Sequence, residues 1–169
     1  MHFYDPTTRA GRALNEDLKT LFVETREKAK QDLDSIPSYH KAIRLQRITN
    51  VEGLVMRSVQ TGRDLGQLTT DLQEQFGVTR RRAAFIARDQ SNKATASMTR
   101  ARQDELGITE AIWVHSGAGK HPRPTHVAMN GMKYDVNKGM WDPAVKRWIV
   151  PGEEINCRCF SRSIIPGFS

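Results

Sequence analysis

The sequence has little cysteine and no long apolar run, and each shortage excludes a class of protein. Only two cysteines occur in 169 residues, whereas small secreted domains held by disulfides need several cysteines spread along the chain. No stretch approaches the roughly 18 apolar residues that span a bilayer, and residues 1–6 lack the basic and apolar regions of a signal peptide. We therefore expect a soluble, unsecreted protein of a reducing compartment, with no membrane partner.

Acidic residues are outnumbered by basic ones, 19 against 26, so the formal net charge is +7. Lys and Arg attract phosphate through their long-range field and through counterion release, which favours an anionic partner such as nucleic acid. A mildly basic, solvated surface explains the same excess of charge. Both interpretations remain open. The length fits one ordinary domain, or a compact module preceded by a helical arm.

The first two thirds of the sequence have the periodicity of amphipathic helices, with apolar residues at three- and four-residue steps among charged ones. Pro37 interrupts this pattern, because proline disfavours helical geometry in the residue before it. Asp64 followed by Gln67 resembles a capping box, and Gly77 is a natural left-handed cap at a helix end. Four helices are predicted, over residues 8–33, 38–59, 65–76 and 79–106.

The pattern changes after Gly107, where Gly, Pro and Trp become frequent and short β-prone segments such as 111–114 and 147–150 appear. The predicted fold class is therefore α+β, with helical N-terminal two thirds followed by a small β-rich C-terminal module. We divide the chain into a helical arm for partner contacts, residues 1–77, and a module of residues 78–169.

The C-terminal module begins with a basic helix, residues 79–106, which precedes the β-rich part, residues 108–165. Arg81, Arg88 and Arg102 are spaced by seven and fourteen residues and so recur along one helical face. Such a face can follow a phosphate backbone, but no aromatic residues alternate with it to stack on bases. We predict either double-stranded DNA binding without sequence preference or a solvated face.

The two cysteines, Cys157 and Cys159, are separated by one residue. In an extended strand residues two apart project on one face, so both sulfurs can meet one metal ion, whereas a disulfide between them would close almost no loop. His115, His121 and His126 precede them in a Gly- and Pro-rich segment, and zinc accepts imidazole and thiolate together. We predict a structural zinc site formed by both cysteines with His121 and His126, with His115 as the alternative histidine.

Two other interpretations of these residues stay open. The cysteines can be small buried apolar residues and the histidines surface residues of a loop, with no metal. A metal-dependent hydrolase or nuclease would instead need a general base near the cluster, for which His115 or His126 with Glu153 or Glu154 are available. Nothing in the spacing fixes their geometry, so we expect a non-enzymatic protein.

Ten residues form an ordered pattern, with an I-A-R-D-Q helix core, a later Trp, an R-x-x-H segment with a following Gly, and a terminal N-C-R-C. They are Arg88, Gln90, Trp113, Arg123, His126, Gly131, Asn156, Cys157, Arg158 and Cys159. The order and spacing over roughly residues 78–167 resemble the phage Mu F-like minor head family, also called phage head morphogenesis proteins.

This resemblance implies a low-copy structural component of the virion, associated with the portal vertex and other head proteins. Such a protein would assist head assembly, DNA packaging or DNA delivery, and would lie in the virion and, during assembly, in the cytoplasm of the bacterial host. The alternatives are the metal-dependent hydrolase or nuclease and the sequence-independent DNA-binding module.

Overall fold

A computed structural model describes the backbone of residues 38–165 and the side chains of residues 46–165. It also describes six earlier residues, all helical, which are Arg12, Glu16, Lys19, Thr20, Val23 and Glu27. The rest of the helix predicted over residues 8–33, and the break predicted at Pro37, lie outside the described residues. Contacts within the chain divide it into two compact units, Met1–Ser91 and Asn92–Ser169.

The first unit contains helices α1, Ser38–Gln60, and α2, Leu65–Phe76, which pack against each other. Its buried apolar side chains on these helices are Leu54, Val55, Val59, Leu68 and Leu72. Asp64 caps α2 by accepting hydrogen bonds from the backbone N–H groups of Gly66 (2.7 Å) and Gln67 (3.0 Å). The two helices predicted in this part of the sequence are confirmed, and the capping carboxylate explains where α2 begins.

Helix α3, Arg80–Glu105, begins where the hydroxyl of Thr79 accepts a hydrogen bond from the backbone N–H of Arg82 (3.3 Å). It ends before Gly107, whose φ of 65° is left-handed and is available to glycine without strain. The helix predicted over residues 79–106 is thus confirmed. Among the described residues, no helix is long and apolar enough to cross a membrane.

The second unit contains two small antiparallel sheets. Strand β1, Glu110–Val114, is the central strand of the larger sheet and pairs with β2, Lys133–Asp135, and with β5, Phe160–Ser163. A hairpin of β3, Met140–Asp142, and β4, Arg147–Ile149, forms the other sheet. A short helix α4, Pro124–Ala128, lies between β1 and β2 in the sequence. The architecture is α+β, as predicted.

The core of the second unit is built around Trp113 of β1, whose side chain is fully buried. Ala111 is buried on the same side, because alternate residues of a strand share a face. The Trp113 ring packs edge-on against the rings of His126 and Tyr134, at centroid distances of 5.4 Å and 6.1 Å. The other buried members are Met129, Val136, Ile149, Cys157 and Cys159. Both cysteines are therefore core residues.

The segment that precedes β5 packs closely on α3. A Cβ atom at Gly152 would lie 2.7 Å from the Cβ of Ala96, and the φ of Gly152 is 86°, so only glycine fits there. The side-chain amide of Asn92 donates a hydrogen bond to the backbone carbonyl of Cys157 (3.1 Å). These contacts fix the path of the chain through Cys157 and Cys159.

Candidate metal centre

Cys157 and Cys159 lie in an irregular segment that leads into β5, and not in an extended strand. Asn156 precedes them with a left-handed φ of 56°, which asparagine tolerates better than most residues. The backbone N–H of Cys157 then donates to the carbonyl of Glu154 (2.9 Å), which closes a turn. Both thiols are buried and neither forms a disulfide. The turn thus does what we expected of a strand, because it brings both sulfurs to one imidazole.

His126 is presented by α4, where Pro124 occupies the start of the helix and needs no backbone N–H. The imidazole is only 2% exposed. Its Nδ1 lies 3.5 Å from Sγ of Cys157 and 3.7 Å from Sγ of Cys159. One ligand atom from each of the three residues lies within 4.8 Å of the other two. We refer to these three residues as the Cys-His cluster.

Asp142, at the end of β3, faces the other nitrogen of the same imidazole. Its Oδ2 lies 3.5 Å from Nε2 of His126, and its side chain is buried. Thr125 donates its hydroxyl to Oδ2 (3.2 Å), and the backbone N–H of Ala144 donates to Oδ1 (2.8 Å). The carboxylate is therefore held in place beside the imidazole. Our sequence analysis did not place Asp142 at this site, because an aspartate before a proline is common in turns.

The two sulfurs of the cluster have opposite pKa shifts. The pKa of Cys157 is lowered to about 4, mainly by the hydrogen bond that the Cys159 thiol donates to it, with His126 and backbone N–H groups adding to the effect against burial. The pKa of Cys159 is raised by the same hydrogen bond and by burial. The pair thus holds one proton between two sulfurs. A thiolate is the form of cysteine that binds metals.

The other two histidines considered as ligands lie apart from the Cys-His cluster. His121 is exposed and does not belong to the group of close ligand atoms. His115 is partly buried, and its Nδ1 accepts a hydrogen bond from the backbone N–H of Gly117 (3.2 Å). Of the predicted ligands, the structure therefore brings together His126, Cys157 and Cys159.

Several residues of the sequence pattern hold the segments around the cluster. Arg123, just before α4, donates a hydrogen bond to the backbone carbonyl of Ile155 (2.9 Å), in the turn that precedes the cysteines. Arg158, between the two cysteines, donates to the backbone carbonyl of Ala118. Gly131, with a left-handed φ of 80°, donates its N–H to the carbonyl of the buried tryptophan on β1 (2.8 Å). These residues have structural contacts that the pattern alone did not explain.

The arginines considered for nucleic-acid binding lie on α3. Arg81, Arg88 and Arg102 are all exposed. The nearby Gln90, also part of the pattern, donates a hydrogen bond to the carboxylate of Asp89 (3.1 Å). The positive charges are therefore available on the helix surface, as an electrostatic contact with a phosphate backbone requires.

Comparison with known proteins identifies the family. The family model described as "Phage Mu protein F like protein" matches residues 49–162, and that described as "Uncharacterized conserved protein (DUF2280)" matches residues 1–59. An "Uncharacterized protein" of Haemophilus influenzae is 33% identical over 119 residues, which are 70% of this chain and 25% of the relative. The chain thus spans about a quarter of that relative, and no solved structure matches it significantly. Because the first match covers more than half of the sequence, the chain belongs to the phage Mu F-like, or head morphogenesis, family.

Proposed function

We propose that this protein is a minor head protein of a tailed phage or prophage, associated with the portal vertex and other head proteins. In this role it assists head assembly, DNA packaging or DNA delivery. The observation that carries the proposal is the family match over residues 49–162, which includes the Cys-His cluster and all five strands. The protein would be found in the virion and, during assembly, in the host cytoplasm.

The burial of the Cys-His cluster supports a structural rather than a catalytic role. His126, Cys157 and Cys159 are 2%, 3% and 7% exposed. A hydrolase or nuclease must bring its base and nucleophile within hydrogen-bonding distance of a substrate. Side chains so deep in the core of a small unit are poorly placed to meet a polymer such as DNA.

The head assignment is tested in an inducible prophage that carries the gene. A nonsense codon should lower the yield of DNA-filled heads, and expression of the intact chain should restore it. Quantitative mass spectrometry of purified virions should find the protein at low copy number relative to the major capsid protein. Absence of the protein from purified heads, together with an unchanged yield of filled heads, would refute the proposal.

We also propose that the helical arm, residues 1–77, makes the contacts with the portal. A photo-crosslinking amino acid at the exposed position Gln60 or Glu74 of the full chain should then capture the portal protein during assembly. The same residue at the exposed positions Glu105 and Val145 of the module provides the matched control. Capture from the module positions alone would assign the contact to the module instead.

A second proposal concerns the exposed arginines of α3. Arg81, Arg88 and Arg102 are exposed on one helix of a chain with a formal net charge of +7. We propose that they bind double-stranded DNA through its phosphates, without reading sequence. Phosphate contacts of this kind position a protein on DNA and carry no sequence information.

A further inference from the structure

Three polar groups in the core of the second unit need a compensating partner. The core contains the imidazole of His126, two sulfurs that hold one proton between them, and the carboxylate of Asp142, all of them buried. Nε2 of His126 makes no hydrogen bond of normal geometry, although it faces Asp142 at 3.5 Å. Burying charged groups in a low-dielectric core is unfavourable unless they are paired or bind a metal. Such a concentration of polar groups therefore calls for a ligand.

We propose that His126 Nδ1, Cys157 Sγ and Cys159 Sγ bind one zinc ion in the core of the second unit. Tetrahedral zinc, with Zn–S distances of about 2.3 Å and a Zn–N distance of about 2.0 Å, places a sulfur and a nitrogen ligand about 3.5 Å apart. The two distances from Nδ1 to the sulfurs are 3.5 Å and 3.7 Å. The three atoms thus have the spacing of a ligand set.

The convergence of two sulfurs on one nitrogen is what a metal explains better than hydrogen bonding. A ring nitrogen has one lone pair or one N–H, so it makes one good hydrogen bond. Here Nδ1 lies at nearly equal distances from Cys157 and Cys159. A cation between the three atoms satisfies all of them at once. Thiolate and imidazole together select a borderline-soft ion such as zinc over magnesium or calcium.

Asp142 provides the outer support that a metal-binding histidine normally has. When Nδ1 of His126 binds a metal, the ring proton lies on Nε2, which faces Oδ2 of Asp142. A carboxylate at this nitrogen fixes the tautomer and the orientation of the ring. The carboxylate is itself held by Thr125 and by the backbone of Ala144. Asp142 is therefore a positioning residue of the zinc site.

Among residues 46–165, no fourth histidine, cysteine or carboxylate joins this cluster. We therefore assign the fourth coordination position to water, so that three protein ligands hold the ion. The ligands come from α4 and from the segment before β5, which are 31 and 33 residues apart in the sequence. A zinc ion would join these two segments and stabilise the second unit in the manner of a structural site.

The experiment uses the full chain, purified without a histidine tag. Elemental analysis should find about one zinc ion per chain. Replacing zinc with cobalt should give a sulfur-to-cobalt charge-transfer band and the visible bands of tetrahedral cobalt. Chelation should lower the thermal unfolding midpoint of the wild-type protein, and zinc should restore it. Absence of stoichiometric metal and of the cobalt bands in folded wild-type protein would overturn the proposal.

Variants identify the ligands. His126→Gln and Cys157→Ser should lose zinc, whereas His121→Gln, which alters an exposed histidine outside the cluster, should keep it. Asp142→Asn should keep the tetrahedral cobalt spectrum but weaken zinc affinity by about 10- to 100-fold, measured by competition with a chromophoric chelator. Retention of zinc by the Cys157→Ser, Cys159→Ser double variant would overturn the ligand assignment, and preferential loading with copper(I) would overturn the choice of metal. These outcomes are independent of the head assignment.

Discussion

Trp113 contacts both the larger sheet and the Cys-His cluster. It lies on the central strand β1, and its ring packs edge-on against His126 and Tyr134. Aromatic rings pack favourably in this arrangement and bury a large apolar area. The tryptophan of the family pattern therefore supports the side of the imidazole, while Asp142 holds its far nitrogen. One residue contributes to the stability of the core and to the orientation of a ligand.

We expect Trp113→Ala to lower the free energy of unfolding by about 3–5 kcal/mol, the usual result of truncating a buried aromatic side chain. Urea denaturation followed by circular dichroism measures the change. Trp148→Ala is the matched control, because Trp148 is 46% exposed and packs mainly against Trp141 and Lys138. The control should lose about 0.5–1.5 kcal/mol. Equal losses in the two variants would contradict the central role of Trp113.

The residues of the site could be predicted only in part from the sequence. Thiolate and imidazole chemistry identifies Cys157, Cys159 and a nearby histidine, but spacing does not tell which histidine is near. His126 joins the cysteines because α4 and the turn at Asn156 direct their side chains into one core, which is a tertiary effect. Asp142 was missed for the same reason, since β3 brings it to the imidazole from a different part of the chain.

At the level of elements, helix ends were the most predictable features. Asp64, Thr79 and Gly107 act locally, through a side-chain cap or a left-handed φ, so they set helix limits without any distant contact. The predicted capping box at Asp64 forms only in part, because the side chain of Gln67 donates to Asp71 (2.7 Å). Strand pairing was not predictable, since the order β2-β1-β5 depends on partners far apart in the sequence.

A buried amide joins the end of α3 to strand β5. Nε2 of Gln103, which is 1% exposed, donates hydrogen bonds to the hydroxyls of Ser161 (2.8 Å) and Ser163 (2.9 Å). We expect Gln103→Ala to lower the free energy of unfolding by about 1–3 kcal/mol, because it leaves buried hydroxyls without a partner. The exposed Gln75→Ala serves as control and should change stability by less than about 0.5 kcal/mol. A neutral Gln103→Ala variant would show that the link does not stabilise the fold.

The exposed arginines of α3 give the sharpest prediction for an element. Reversing Arg81, Arg88 and Arg102 to Glu should weaken binding of a mixed-sequence duplex and lower the slope of log K against log salt by about 3, roughly one for each phosphate contact. Fluorescence anisotropy at several salt concentrations measures both quantities.

The matched control for this charge reversal changes exposed lysines elsewhere, Lys120, Lys133 and Lys146, to Glu. Both triple variants lower the net charge equally, so only a specific face distinguishes them. Equal losses of affinity would reduce the effect to net charge. Absence of duplex binding by the wild-type protein would remove the DNA proposal altogether.

For the whole molecule, family membership and side-chain chemistry answer different questions. The match over residues 49–162 identifies the chain as a phage Mu F-like protein, and the positive charge is compatible with work close to DNA. The Cys-His cluster identifies where the second unit can hold a metal, but its burial separates that metal from any polymer. A protein with these properties is built to be assembled and to remain folded.

We therefore expect the purified chain to leave single-stranded and double-stranded DNA intact when supplied with zinc, manganese or magnesium. The physical reason is access, since His126, Cys157 and Cys159 are each less than a tenth exposed and a phosphodiester cannot reach them. Gel analysis of end-labelled DNA with and without chelator tests this. Cleavage that requires metal and disappears in the Cys157→Ser, Cys159→Ser variant would establish a nuclease, whereas cleavage that persists in this variant arises elsewhere. An intact substrate under all conditions would leave the buried cluster a structural role.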